Sequence, residues 1–92
     1  MAMQRRGKLM QLEIGMTKAE VINIMGKPNN REVYQQPDGL ILEYLIYRTR
    51  YEYPYEENTP IAFIDGKVTG WGRNFYEQQK QRYEIEIKQS GR

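Results

Sequence analysis

The chain reads as an α+β domain, with one or two short N-terminal helices packed on a three- to four-stranded antiparallel meander. Three observations predict it. A capped helix is written between Gly15 and Pro28, in GMTKAEVINIMGKP. A run rich in β-branched and aromatic residues extends from Leu40 to Tyr53. A hairpin built on Asp65-Gly66 comes after it. Helix first and strands afterwards is the segregated pattern of an α+β fold. With 92 residues, 39% of them apolar, the chain suits one core and not two. It divides into a lead (1–8, flexible or the trace of an engineered restart), a domain (9–76), and a polar tail (77–92, partly helical or disordered).

Residues Met1 to Lys8 are polar and basic. Leu9, Met10, Leu12 and Ile14 come next, and a short helix and an extended arm both accommodate them. Thr17 is a good N-cap with Glu20 at the capping-box spacing, and Met16 before it is placed to pack on Val21. Ala19, Ile22 and Met25, with Val21 beside them, recur at helical spacing and predict the buried face; Ile24 falls off it, so the helix should be buried on more than one side. Gly26 supplies a left-handed stop and Pro28 forbids continuation. A helix of barely three turns is marginal alone, so the rest of the chain must hold it.

Arg31 to Gln35 reads as a short strand, and Gln36-Pro37-Asp38-Gly39 as a turn. Leu40 to Tyr53 reads as one extended strand. Its first part, LILEYLIY, is apolar on both faces. The next segment, RTRYEYPYEEN, alternates tyrosine with charge and should run past the edge of the core. Asn58-Thr59-Pro60 reads as a further break. In the hairpin from Ile61 to Trp71, Asp65-Gly66 is a type I′ pair that sets Ile64 against Lys67 and Phe63 against Val68. Ile61, Phe63 and Val68 then share the helix-covered face, with Gly70 beside Ile61 so that the helix can approach closely. Ala62, Thr69 and Trp71 fall on the other face, which is left free. Beyond Phe75, Asn74 and Glu77 can cap a further helix, while Tyr83 to Ile87 alternates like a strand.

Composition narrows the chemistry. There are no cysteines and no histidines, which removes disulfides, thiolate zinc sites, a thiol nucleophile and the commonest general base. Serine occurs once, at Ser90 in the tail. Glu56-Glu57 and the pair Glu84 and Glu86 read as solvated surface, because a domain of this size offers little cleft to hold two acids across. Asp65 is explained as a turn residue. No GxxxxGK[ST] spacing exists, and Gly26-Lys27 comes after its helix instead of opening it. No catalytic residue, cofactor or metal site is expected, and the domain reads as not an enzyme. A net charge of +2 implies no strong polyanion partner. No apolar run approaches the roughly 20 residues that span a bilayer. The basic Gln4-Arg5-Arg6-Gly7-Lys8 lacks an apolar stretch after it, so no signal peptide is read.

G-M-T-K-A-E-V-x-x-x-M-G-K-P, then a strand with paired aromatics, then F-I-D-G-K-V, resembles the SmpA/OmlA family of BamE-like lipoproteins over roughly Leu9 to Phe75. The resemblance implies two small helices on a three-stranded antiparallel sheet, akin to half of the β-lactamase-inhibitor-protein fold. It implies a periplasmic location, anchored to the outer membrane in the full-length protein; with no upstream leader the chain would be cytoplasmic. It further implies a scaffold that touches protein partners and anionic lipid headgroups, as a monomer or a domain-swapped homodimer. The best-known member is an accessory subunit of the machinery that inserts β-barrel proteins. The chain carries neither the lipidated cysteine nor its leader, and its segment before Gly15 is shorter than the family's usual first helix.

The residues themselves nominate one surface. Tyr47, Arg48, Arg50, Tyr51 and Tyr53 interleave rings with guanidinium groups, and Trp71 and Arg73 lie on the next hairpin. Tyrosine and arginine give an interface rigid area and forked donors. The expected function is therefore a non-catalytic cell-envelope interaction domain that binds a partner protein through an aromatic and arginine sheet face. The alternative is a nucleic-acid-binding module using the same surface, since such a mixture also stacks bases and binds phosphates. Plain coverage of the sheet and its edge also accounts for these rings.

Overall fold

Local signals in the sequence become four strands and one capped helix in a computed structural model, which describes residues 7–73 and 75–78. A 3-10 turn, Leu9–Gln11, precedes helix α1, Lys18–Met25. Strands β1 (Asn30–Gln35), β2 (Ile41–Glu52), β3 (Tyr55–Ile64) and β4 (Lys67–Trp71) pair antiparallel in the order β1-β2-β3-β4. The fold is α+β, an open antiparallel meander with short helices, as the sequence predicts.

The cap is built as written. Thr17 Oγ1 accepts from the Glu20 N–H at 3.2 Å, and the Thr17 N–H donates to Glu20 Oε1 at 2.9 Å. Gly26, at φ 84°, ends the helix and donates its N–H to Ile22 O at 2.7 Å. The buried face differs from the one expected. Val21 and Met25 are buried, and Ile24 packs against their cluster as its place off the predicted face implies, while Ala19 and Ile22 face outward. The reason is tertiary. Residues just before the helix run along β4: the Gly15 N–H donates to Val68 O, and the Val68 N–H donates to Met16 O, each at 2.8 Å. That pairing sets the rotation at which α1 enters.

Strand alternation divides the core between the two faces of the sheet. On the first, Leu45, Tyr47, Ile61, Phe63 and Val68 form one cluster with Val21 and Met25 of α1 and with Leu12. On the second, Leu42, Tyr44 and Ala62 cluster with Tyr76. Arg73 and residues 75–78 are helical, and Tyr76 and Phe75 lie on this second face. The expectation of a free second face is thus corrected. Asn74 and most of the tail, with its proposed strand from Tyr83 to Ile87, lie outside the described residues.

Two details of β3 and β4 also depart from the sequence reading. Asn58-Thr59-Pro60 does not break the chain, because β3 runs straight through it with Pro60 opposite Ile46. Pro60 O accepts from the Gly72 N–H at 2.9 Å, so the edge on which proline lacks its N–H faces β4 just where β4 has ended. The ladder to β2 loses nothing. In the hairpin, Asp65 (φ 51°) and Gly66 (φ 78°) make the expected turn, with Phe63 opposite Val68. The register then shifts, so that Gly70 faces Ala62 and Trp71 faces Ile61. This bulge at Thr69 moves Trp71 to the α1 face and Gly70 to the second face. Gly70 therefore admits the Phe75 ring and not α1: a Cβ there would lie 2.6 Å from Phe75 Cε2.

An ionic cluster ties α1 to the sheet. Glu43 on β2 is buried; Lys18 Nζ donates to both of its carboxylate oxygens at 3.2 Å, and Arg31 Nε of β1 donates to Oε2. Burial of Glu43 works to raise its pKa, but the hydrogen bonds and charges of Arg31 and Lys18 outweigh it, and the net shift is downward from 4.5. A carboxylate whose folded pKa is lowered stabilises fully above its unfolded value, and that contribution is lost as pH falls through the folded pKa. Urea unfolding from about pH 6 to about pH 2 should show stability falling with acid, and Glu43→Gln should flatten part of the fall. An unchanged slope in the variant would contradict this role. A second expectation concerns the second face. Gly70→Ala should destabilise by about 1–3 kcal/mol through overpacking. In a double-mutant cycle with Phe75→Ala the two losses should fall well short of additive, because both act on one contact.

Candidate functional site

The nominated surface is dispersed by the fold. Tyr47 is fully buried under α1, and its hydroxyl donates to Gly26 O at 2.6 Å. That carbonyl is one of the acceptors left without a partner at a helix end, so Tyr47 fastens the helix C-terminus to the sheet. The assignment of Tyr47 to partner binding is corrected by its burial. Trp71 is half-buried against the same core cluster, which corrects its placement on an outer face with the arginines. The parity of a regular strand predicted otherwise; the Thr69 bulge changes it.

Arg48, Arg50 and Tyr53 do share one feature. β1 pairs with β2 only as far as Ile46, and β4 pairs with β3 only from Ile61 onward. Beyond those points no further strand pairs with β2 or β3. The Arg48 N–H still donates to Asn29 Oδ1 at 2.7 Å and Pro60 O still accepts from Gly72, and past them the two strands continue as a two-stranded arm ending at Tyr53 and Pro54. Tyr53 is 90% exposed at its end. Arg48 and Arg50 are exposed along it, in ion pairs with Glu56 at 3.4 Å and Glu52 at 3.5 Å. Exposed pairs of this kind contribute roughly 0–1 kcal/mol to stability. A register shift interrupts the ladder between Arg48 and Arg50 at the base of the arm, where the Thr49 and Thr59 hydroxyls meet at 2.7 Å in a buried contact. Tyr51 lies on β2 opposite Glu56, and its side chain lies outside the described residues.

Arg73 follows β4; its guanidinium lies over the Tyr76 ring at 5.8 Å from the ring centre and donates at 3.5 Å to the O of Asn58, the residue opposite Arg48. Arg73 borders a cleft of about 270 Å³ on the second face. Glu32 and two asparagines, Asn29 and Asn30, form the β1 side of this cleft; Asn58 forms the β3 side, and Ile46 and Pro60 supply its apolar surface. Glu32 Oε1 accepts from two phenols, Tyr34 and Tyr76, each at 2.7 Å. Tyr44 sits directly opposite Glu32 in the register, edge-on to Tyr76 with ring centres 4.7 Å apart. Its hydroxyl is buried without a hydrogen-bond partner among the described residues. Burial, and then the nearby Tyr76, Tyr34 and Glu32, push the Tyr44 pKa up to about 12. Burial and the hydrogen bond to Glu32 likewise raise that of Tyr76. These phenols stay neutral donors across the physiological range.

This cluster is absent from the surface nominated by sequence. Alternation along β1 puts Glu32 and Tyr34 on one face, which is a legible signal. Nothing local brings Tyr76, 44 positions away, to Glu32. Among the described residues no three acidic side chains converge in the way a metal ion would need.

The placement of Tyr47 makes a prediction of its own. Tyr47→Phe should cost about 0.5–1.5 kcal/mol in urea unfolding, by removing the part-buried hydrogen bond to the Gly26 carbonyl, and should leave partner binding untouched. Loss of binding without loss of stability would return Tyr47 to the surface.

A family model described as "Protein of unknown function (DUF3192)" matches residues 2–78. No curated protein matches the chain, and no solved structure does.

Proposed function

The chain belongs to the DUF3192 family, and from that premise we propose that it is a non-catalytic interaction domain of the cell envelope that engages a partner protein through its β2–β3 arm. The observation that carries this reading is the arm itself. A two-stranded ribbon is marginally stable alone, so strands that run on without neighbours add little to the domain's own stability. What they add is reach, and a solvent-facing set of Arg48, Arg50 and Tyr53. These are the residue types that dominate binding energy at protein interfaces.

The envelope location rests on the resemblance of GMTKAEVINIMGKP and FIDGKV to the SmpA/OmlA lipoproteins. By the same resemblance, anionic headgroups are a second contact, and the domain acts as a scaffold in the manner of the accessory lipoprotein of barrel assembly. The sharing of arm arginines with Glu56 and Glu52 lowers their pull on a polyanion, which favours a protein surface over nucleic acid.

The test is recovery of partners from envelope extract by the wild type, by Tyr53→Ala and by the double variant Arg48→Ala/Arg50→Ala. The variants should fold normally by circular dichroism and should recover at least about tenfold less of a specific partner. Recovery equal to wild type would overturn the arm as the binding element. Tight binding of an oligonucleotide that weakens steeply with salt would favour the nucleic-acid module instead.

A further inference from the structure

We infer that the cleft on the second face is a binding site for one neutral sugar ring. The inference is independent of the arm and of any protein partner. It starts from the chemistry of the walls. On the β1 side, Asn30 Oδ1 accepts from the Arg31 N–H at 2.8 Å, which leaves the carboxamide N–H groups as donors. On the β3 side, Asn58 Nδ2 donates to Glu56 Oε1 at 3.4 Å, which leaves Asn58 Oδ1 as an acceptor. Glu32 is oriented by two phenols on Oε1, and its Oε2 has no hydrogen-bond partner among the described residues. Ile46 and Pro60 offer apolar surface between these walls.

A donor, an acceptor and a carboxylate oxygen around a small apolar patch match a ring with hydroxyls on its edge and C–H groups on its faces. Each hydroxyl both donates and accepts. The charges point the same way. Arg73 borders the cleft but pairs with Glu77 at 3.9 Å and donates to Asn58 O at 3.5 Å, and Glu32 accepts from two phenols, so both charged groups at the cleft are already engaged within the fold, which favours a neutral ligand over a charged one. The volume, about 270 Å³, lies just below the range of pockets for drug-sized molecules and suits a single ring. The Tyr44 hydroxyl, buried beside the same carboxylate with its hydrogen-bonding capacity unmet, marks this as the unusual polar locus of the fold.

The experiment is a titration of the full chain, monitored by amide chemical shifts, with glucose, galactose and N-acetylglucosamine, and with glycine and inorganic phosphate as charged probes. At least one sugar should shift the amides of Asn30, Glu32, Ile46 and Asn58 and saturate in the millimolar range, while glycine and phosphate leave them in place. Glu32→Gln, which keeps the shape of the side chain, and Asn58→Ala, which removes little packing, should each weaken binding about tenfold or more. Tyr53→Ala on the arm should not change it, so failure here and failure of the arm are read separately. Tighter binding of a trisaccharide of the same sugar would identify the source as a glycan chain; equal binding would identify a free sugar. Absence of a saturable shift with every sugar, equal response to glycine or phosphate, or undiminished affinity in both variants would overturn the inference.

Discussion

Everything in this domain depends on the docking of α1 against the first face of the sheet. Eight residues of helix do not hold themselves together in water. Three kinds of contact hold them. Backbone pairing of residues 15 and 16 with Val68 fixes the entry, the Lys18–Glu43–Arg31 cluster fixes the first turn, and the Tyr47 hydroxyl closes the C-terminal end at Gly26. Between them Val21 and Met25 enter the cluster of Leu45, Ile61, Phe63 and Val68. The third of these contacts consumes a residue that the sequence nominates for binding. The Tyr47 ring serves the core and its hydroxyl serves the helix end.

The second face is put together differently. It is apolar near Leu42, Tyr44 and Ala62, and there the helical turn after β4 lies on it. Toward the arm it becomes polar, with asparagines, Glu32 and Arg73 around a small opening. The transition is organised by one carboxylate that holds phenols from two distant segments. Gly70 makes this arrangement possible, since a side chain at that point would meet the Phe75 ring. A glycine that reads as room for a helix on one face is room for an aromatic ring on the other.

Function, on this reading, is distributed between the arm and the cleft. The arm extends beyond the strands that would stabilise it, and the cleft keeps polar groups incompletely satisfied. Both depart from what stability alone favours, since unpaired ribbon is marginal and unmet buried polar groups are costly. Departures of that kind collect where a chain meets something else.

Features encoded within a few residues were legible in the chain before any coordinates. The capping box of Thr17 and Glu20, the stop at Gly26, the long strand from Leu40 to Tyr53 and the type I′ turn at Asp65-Gly66 each depend on backbone preferences and neighbours at short range. Together they determined an α+β meander with a short docked helix. Tertiary structure decided which side each residue faces. One extra residue at Thr69 reverses strand parity and carries Trp71 and Gly70 to faces that alternation alone assigns the other way. The rotation of α1, the burial of Tyr47 and the meeting of Glu32 with Tyr76 all depend on contacts between segments far apart in the chain. Periodicity carries no record of such contacts, because it reports which residues share a face of one element and not which element will cover it.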